Sequence, residues 1–286
     1  MHIPVMLPEC LEYLGLRPEG VYVDATAGLG GHSAAIAQRL SSGLLVVSDR
    51  DADSLAMARQ ATQAWADRIR YVHSPFSRLP ESLRELGISA VDGLLADLGV
   101  SRYQLTSPER GFSIQADGPL DMRMDRSSGI SAEELVNGIN ERDLADLIYQ
   151  FGEERRSRKI ARAIVRARPI RSTGHLARVV ESVVPRTGRI HPATQTFQAI
   201  RIAVNREMEE LDALLEGAPG LVRSGGRIVI LTFMSLEDRK VKRSFQDLAR
   251  SGKAGILTKH VVRPSESEVE RNPASRGAKL RAVRLL

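Results

Sequence analysis

The chain has 286 residues, 42% of them hydrophobic, a net charge of +6 and one cysteine. That is enough apolar content for one large core or two modest ones, while a single cysteine excludes an internal disulfide and any cysteine-cluster zinc site, and six scattered histidines show no metal-ligand spacing. No apolar run approaches the ~20 residues of a membrane span and Met1-His2-Ile3-Pro4-Val5 lacks the order of a signal peptide, so a soluble cytoplasmic protein with neither metal nor membrane partner is expected.

A short helical pattern from His2 to Leu16 stops at Gly15 and leads into the apolar run Val21-Tyr22-Val23. Asp24-Ala-Thr-Ala-Gly28-Leu-Gly30-Gly31-His32-Ser33 then reads as a strand end, a glycine turn and a helix start. Gly28, Gly30 and Gly31 let the backbone take positive φ and a ligand approach bare main chain, ahead of the unpaired N–H groups of a helix. This is a seat for a nucleotide-like cofactor, although with Ser33 in place of a third glycine it is only half a dinucleotide fingerprint.

Further on, the pattern gives a helix over 33–40, a buried strand over 44–49, a helix over 52–65, and strands over 69–72 and 91–97. Strands separated by helices mean a parallel sheet of Rossmann-like α/β type, in which ligands bind beyond the carboxyl ends of the strands. Asp24, Asp49, Phe76 and Asp97 lie at or just past such ends and should converge on one crevice. Asp49 falls where a ribose-binding carboxylate is expected, with Asp51 as the less favoured substitute and a strand-end turn as the plain alternative. Phe76 suits an adenine face or simple core packing. An acid as close to the glycine loop as Asp24 would repel a pyrophosphate and attract an ammonium or sulfonium, which favours S-adenosylmethionine over a nicotinamide dinucleotide.

Between Gly99 and Gly129 the periodicity stops, and a long loop is expected, either functional or held as an Ω-loop by Arg–Asp pairs. Helices follow. Ser131-Ala-Glu-Glu134 is a capping box, Asn140 opens a helix ending near Gly152, a third helix is expected over 153–168, Ser172 caps a fourth, and Pro192 starts a fifth running toward Leu215. Residues 155–206 hold thirteen Arg and Lys against one acid, Glu181, so this segment carries more than the whole positive excess. It has the footprint of a polyanion-binding face, with Arg155, Arg156, Arg158, Lys159 and Arg162 foremost. Strands over 227–233, 255–262 and 279–286, with a helix over 236–250, complete the sheet with an antiparallel last pair. The expected division is a Rossmann-like S-adenosylmethionine-binding domain over 1–105 and 207–286 and an inserted loop and helical RNA-binding subdomain over 106–206.

Asp24 to Ser33, Asp49-Arg-Asp51, Asp97-Leu-Gly-Val-Ser101, Glu109-Arg-Gly-Phe112, Asp117-Gly-Pro-Leu-Asp-Met-Arg-Met-Asp125, Gly152-Glu-Glu-Arg155, His191-Pro-Ala-Thr194 and Ser235-Leu-Glu-Asp-Arg239 together resemble the bacterial small-subunit rRNA cytosine-N4 methyltransferases, over nearly the whole chain. The resemblance implies a class I methyltransferase fold with a helical insertion and S-adenosylmethionine as methyl donor. It implies as substrate the N4 amine of a decoding-centre (P-site) cytosine of 16S rRNA, cytosine 1402 in the usual family name. It also implies cofactor contacts at Gly30, Gly31, His32, Asp49, Phe76, Asp97 and Gln104. The small ribosomal subunit is the expected context, and a homodimer stays open.

The amine lone pair of cytosine is delocalised into its ring, so a carboxylate that accepts an N4 proton would raise its nucleophilicity; Asp97 is the expected base, with a purely cofactor-binding role as the alternative. Leu98-Gly99-Val100 follows it where many amino-group methyltransferases have Pro-Pro-aromatic, so Tyr103 or Phe112 would have to stack the base. His32 is read as a loop or cofactor contact rather than a base. Asn272 and Arg276 are further RNA contacts or a structural turn. Met234 departs from the family's usual histidine, and Arg102-Tyr103 from a smaller residue before Gln104. The competing readings are a nicotinamide-dependent oxidoreductase and a non-enzymatic RNA-binding assembly factor.

Overall fold

The computed structural model describes residues 3–186, 188 and 190–286. His2, where the first helical pattern was read to begin, and Arg189, one of the thirteen basic residues, lie outside the described residues. Two compact units emerge, one of residues 1–99 with 208–286 and one of residues 100–207.

The first unit is built on seven strands: β1 (Val21–Asp24), β2 (Leu44–Asp49), β3 (Ile69–His73), β4 (Val91–Asp97), β5 (Val222–Thr232), β6 (Ala254–Ile256) and β7 (Lys279–Leu285). Their order across the sheet is β3-β2-β1-β4-β5-β7-β6, parallel except for β7, which runs antiparallel to both of its neighbours. This is the mostly parallel α/β sheet with an antiparallel last strand that the strand-and-helix pattern predicts. Successive residues of the central strands alternate between two buried cores: Tyr22, Leu45, Val47 and Leu95 on one face, Val23, Val46, Leu94 and Ala96 on the other. A strand covered on both sides must be apolar throughout, which is why β4 is buried over six successive residues.

The helices beside the sheet follow their caps. Leu7–Leu14 ends on Gly15 at φ 60°. The helix after the glycine turn spans Gly31–Ala37, shorter than the expected 33–40. Asp51 starts Ala52–Ala61 by accepting the N–H groups of Asp53 and Ser54, and is 2% exposed, so the substitute ribose ligand is a helix cap. Ser265 caps Glu266–Arg271, a helix absent from the sequence reading, and the strand expected over 255–262 shortens to β6.

The second unit packs Ala132–Gly138, Glu141–Gly152, Ser157–Arg166, Thr173–Glu181 and Thr194–Val204 around its own core of Leu144, Ile148, Ile160, Ile164, Leu176 and Ile200. The capping box is formed, with Ser131 Oγ accepting the Glu134 N–H at 3.1 Å and Glu134 accepting the Ser131 N–H at 2.7 Å. Two expected helices are cut short. Glu153 turns left-handed at φ 53° and the Glu154 carboxylate accepts the Arg156 N–H, so the basic helix begins at Ser157 rather than Glu153. Arg206 does the same at φ 49°, dividing the expected fifth helix into Thr194–Val204 and Glu207–Leu221.

The segment read as an unpatterned loop contains a short helix, Arg102–Thr106, and is organised around Arg110. That guanidinium is 1% exposed, donates to the carbonyls of Arg123 and Met124 at 3.0 Å each, and lies over the rings of Tyr103 and Phe112. Arg123 pairs with Asp121 at 2.7 Å, and the Asn205 amide holds Met122 and Met124 through their backbone.

Candidate active site

Strand order reverses between β1 and β4, since β2 and β3 extend one way and β5 the other. A crevice beyond the carboxyl ends of these strands follows from that reversal. Asp24 pairs in register with Val47 of β2 and Leu95 of β4, so Asp49 and Asp97 each project two residues past it on either side. The glycine turn crosses this edge. The Gly28 N–H donates to Asp49 Oδ2 at 2.9 Å, the Asp97 N–H to Thr26 Oγ1 at 2.6 Å, and the Ala27 N–H to the Ser48 carbonyl. Gly30, at φ 82°, lies so close to the helix Ala52–Ala61 that a Cβ there would come within 2.9 Å of Ala58 Cα. Here glycine answers both a backbone and a packing demand.

The three strand-tip acids have different environments. Asp24 is fully buried, accepting from Ser33 Oγ at 2.5 Å and from the Thr26 N–H at 3.2 Å, so its side chain offers no surface for a ligand to touch. The expectation of a direct cofactor contact at Asp24 is corrected accordingly. Burial raises its pKa to about 7 against those hydrogen bonds. Asp49 has both oxygens engaged, by the N–H groups of Gly28 and Asp51, and burial carries it to about 6. Asp97 is pushed furthest, to about 8, by burial and then by the charges of Asp24 and Glu237. Its Oδ1 is buried and finds no hydrogen-bond partner among the described residues.

Glu237, given no role from sequence, is 2% exposed and accepts the N–H groups of Phe233 and Met234 at the start of the helix Ser235–Arg250, just past the end of β5. The string Ser235-Leu-Glu-Asp contained it, but nothing in its spacing distinguishes a helix-start acid from a site acid. His32, 6% exposed, lies 3.7 Å from Asp97 through Nδ1 and 3.0 Å from the Val5 carbonyl through Nε2. Phe76, in a turn beyond β3, is half-buried against the Val23 core.

The remaining predicted residues have the following settings. Gln104 in the second unit is 3% exposed and accepts the Ser101 N–H as part of a capping box. Phe112 is 6% exposed within the helical core, so it has no face to offer a base, whereas Tyr103 is half-buried beside Arg110. Arg155, Arg156, Arg158, Lys159 and Arg162 are all exposed, the last in an ion pair with Glu141. Asn272 donates to the Ile3 carbonyl at 3.1 Å, which makes it a tie within the fold, while Arg276 is exposed.

The family model described as the MraW methylase family matches residues 1–286. The chain belongs to that family. The family's relatives include proteins named ribosomal RNA small subunit methyltransferase H from Solibacter usitatus, 61% identical and covering the whole of both chains, and from Koribacter versatilis, 49% identical over 99% of this chain and 93% of the relative. A third, of the same name from Acidobacterium capsulatum, is 49% identical over 99% of this chain and 97% of its own length. Among solved structures, an rRNA methylase from Streptococcus thermophilus covers this chain fully and 99% of its own at 12% identity and a TM-score of 0.45. As a methylase of this family the chain is an enzyme, and the oxidoreductase reading falls away.

Proposed function

We propose that this methylase transfers the methyl group of S-adenosylmethionine to the N4 amine of the decoding-centre cytosine of 16S rRNA, within the small ribosomal subunit and therefore in the cytoplasm. The observation that carries this reading is Asp97: a strand-tip carboxyl with one buried, unpartnered oxygen, in a crevice where burial raises the pKa of three acids. A sulfonium with an ammonium group fits that field and a pyrophosphate does not. Gly28, Gly30 and Gly31 would receive the cofactor against bare backbone, Asp49 would hold a ribose hydroxyl on its remaining lone pairs, and Phe76 would lie along the adenine.

When bound, S-adenosylmethionine supplies an electrophilic methyl carbon on a good leaving group. Asp97 takes the proton that the attacking amine must lose; its pKa of about 8 is close enough to neutrality for it to accept and later release that proton. Alignment of donor and amine within the crevice supplies most of the rate. The exposed arginines and lysine of the helix Ser157–Arg166 and its approach, in a unit we read as the RNA-binding subdomain, hold phosphates, with Arg276 as a further contact.

Incubating purified protein with labelled S-adenosylmethionine and unmethylated small subunits or naked 16S rRNA, followed by mass spectrometry of the cytosine, tests the whole reading. Asp97→Asn should lower transfer about a hundredfold or more while RNA binding persists; unimpaired transfer by this variant would overturn the assignment. Sedimentation of the same preparation distinguishes monomer from homodimer.

A further inference from the structure

We propose that His32 is a positioning residue that receives from Asp97 the proton taken from the substrate amine, so that the two side chains hold it as a pair. The inference rests on the reading of Asp97 above and goes beyond it.

The geometry begins at Val5. Its carbonyl can only accept, so His32 Nε2, 3.0 Å away, must carry its hydrogen, and in the neutral ring Nδ1 is then the acceptor. Nδ1 is the atom that faces Asp97 Oδ2, at 3.7 Å. This is an ion-pair distance, and catalytic contacts of this kind shorten when a ligand closes the site.

The Val5 carbonyl is held in turn. The Met6 N–H donates to Glu268 at 2.6 Å, Asn272 donates to Ile3, and Pro4 packs where a side chain on Gly31 would be. A tether with three attachments aims one ring nitrogen at one carboxylate.

The surroundings of Asp97 give the arrangement its purpose. Asp24 from β1 and Glu237 from the helix after β5 both oppose its ionisation, and Cys10, Glu9 and Glu268 on neighbouring helices bring no positive charge. An imidazole that accepts a proton becomes the compensating cation. As the amine lone pair bonds to the methyl carbon, the carbon–sulfur bond breaks with its electron pair left on sulfur. The surplus amine proton passes to Asp97 and on to His32 Nδ1, leaving a carboxylate beside an imidazolium. It returns to water through Asp97 as the products leave.

The test compares wild type, His32→Gln and Asp97→Asn. Glutamine can still donate to the Val5 carbonyl but cannot take a proton. Single-turnover transfer by His32→Gln should fall about tenfold at its pH optimum, because the proton has no onward acceptor, and the acid limb of its pH profile should move down by about one unit, because the pair no longer shares a proton between carboxyl and imidazole. Cofactor affinity should stay within about threefold, and a loss confined to affinity with an unmoved acid limb would overturn the proposal.

A second readout needs no cofactor. In the ligand-free protein the imidazole ¹⁵N resonances of His32 should report the titration of Asp97, and Asp97→Asn should remove that response; resonances indifferent to Asp97 would equally overturn the pairing, even if His32→Gln failed to fold. Should Asp97→Asn transfer normally while the resonances remain coupled, the reading of Asp97 as base fails and the pairing itself survives.

Discussion

At the scale of single residues, the strand-tip acids make stability depend on pH in an unusual direction. A carboxyl whose folded pKa is raised from 3.8 to about 8, as for Asp97, stabilises the fold most below the lower value and loses that contribution as pH rises through the upper one. Asn at this position carries no such penalty. Asp97→Asn should therefore raise the melting temperature of the cofactor-free protein, and more at pH 8.5 than at pH 6; calorimetry at the two values checks it. The glycines of the loop separate by the same kind of reasoning. Gly30→Ala meets both a φ of 82° and the Ala58 backbone, and should cost about 2–4 kcal/mol in urea unfolding. Gly28→Ala meets only its φ of 50° and the Thr26 carbonyl at an ordinary 4.0 Å, so about 1 kcal/mol is expected. Sequence reading recognised all three glycines as one loop, but the close approach that sets Gly30 apart comes from a helix over twenty residues further on, which no local pattern reveals.

At the scale of elements, what was legible depended on whether the signal was local. The capping box at Ser131, the caps at Asn140 and Ser172 and the glycine stop at Gly15 are contacts within a few residues, and each was read where the structure has it. The left-handed turns at Glu153 and Arg206 were missed because neither residue favours that conformation; each is held there by its setting, Glu154 bonding the Arg156 N–H and Asn205 anchoring the Met122 and Met124 backbone. Phe112 was misjudged for a similar reason, since an aromatic in an irregular stretch looks available until Arg110 is seen buried beside it. Arg110→Met should then loosen the whole segment, costing about 2–4 kcal/mol by leaving the Arg123 and Met124 carbonyls without their donor. The basic helix gives a prediction of its own. Reversing Arg158, Lys159 and Arg162 to Glu should weaken RNA binding and reduce the salt-dependence slope by about two to three, with methyl-donor affinity unchanged.

At the scale of the whole molecule, the sheet class and the convergence of Asp24, Asp49 and Asp97 were legible because strand-helix alternation and strand-end acids are enough to specify a switch-point crevice. Glu237 and the tether through Val5 were not, because they depend on residues more than 130 and 260 positions away in the chain meeting Asp97 and Met6. Methyl-donor binding should also be felt globally. S-adenosylhomocysteine at about 100 times its dissociation constant should add about 2.7 kcal/mol to unfolding stability, and NAD none, as read by thermal shift.

The position of β7 between β5 and β6 bears on how the polypeptide can be made. During synthesis β5 and β6 leave the ribosome before the strand that separates them, so for that interval β5 presents a long, apolar, unpaired border to whatever is nearby. A message truncated before Lys279 would make that interval permanent, and its product should accumulate in inclusion bodies although every acid of the crevice is already present in it.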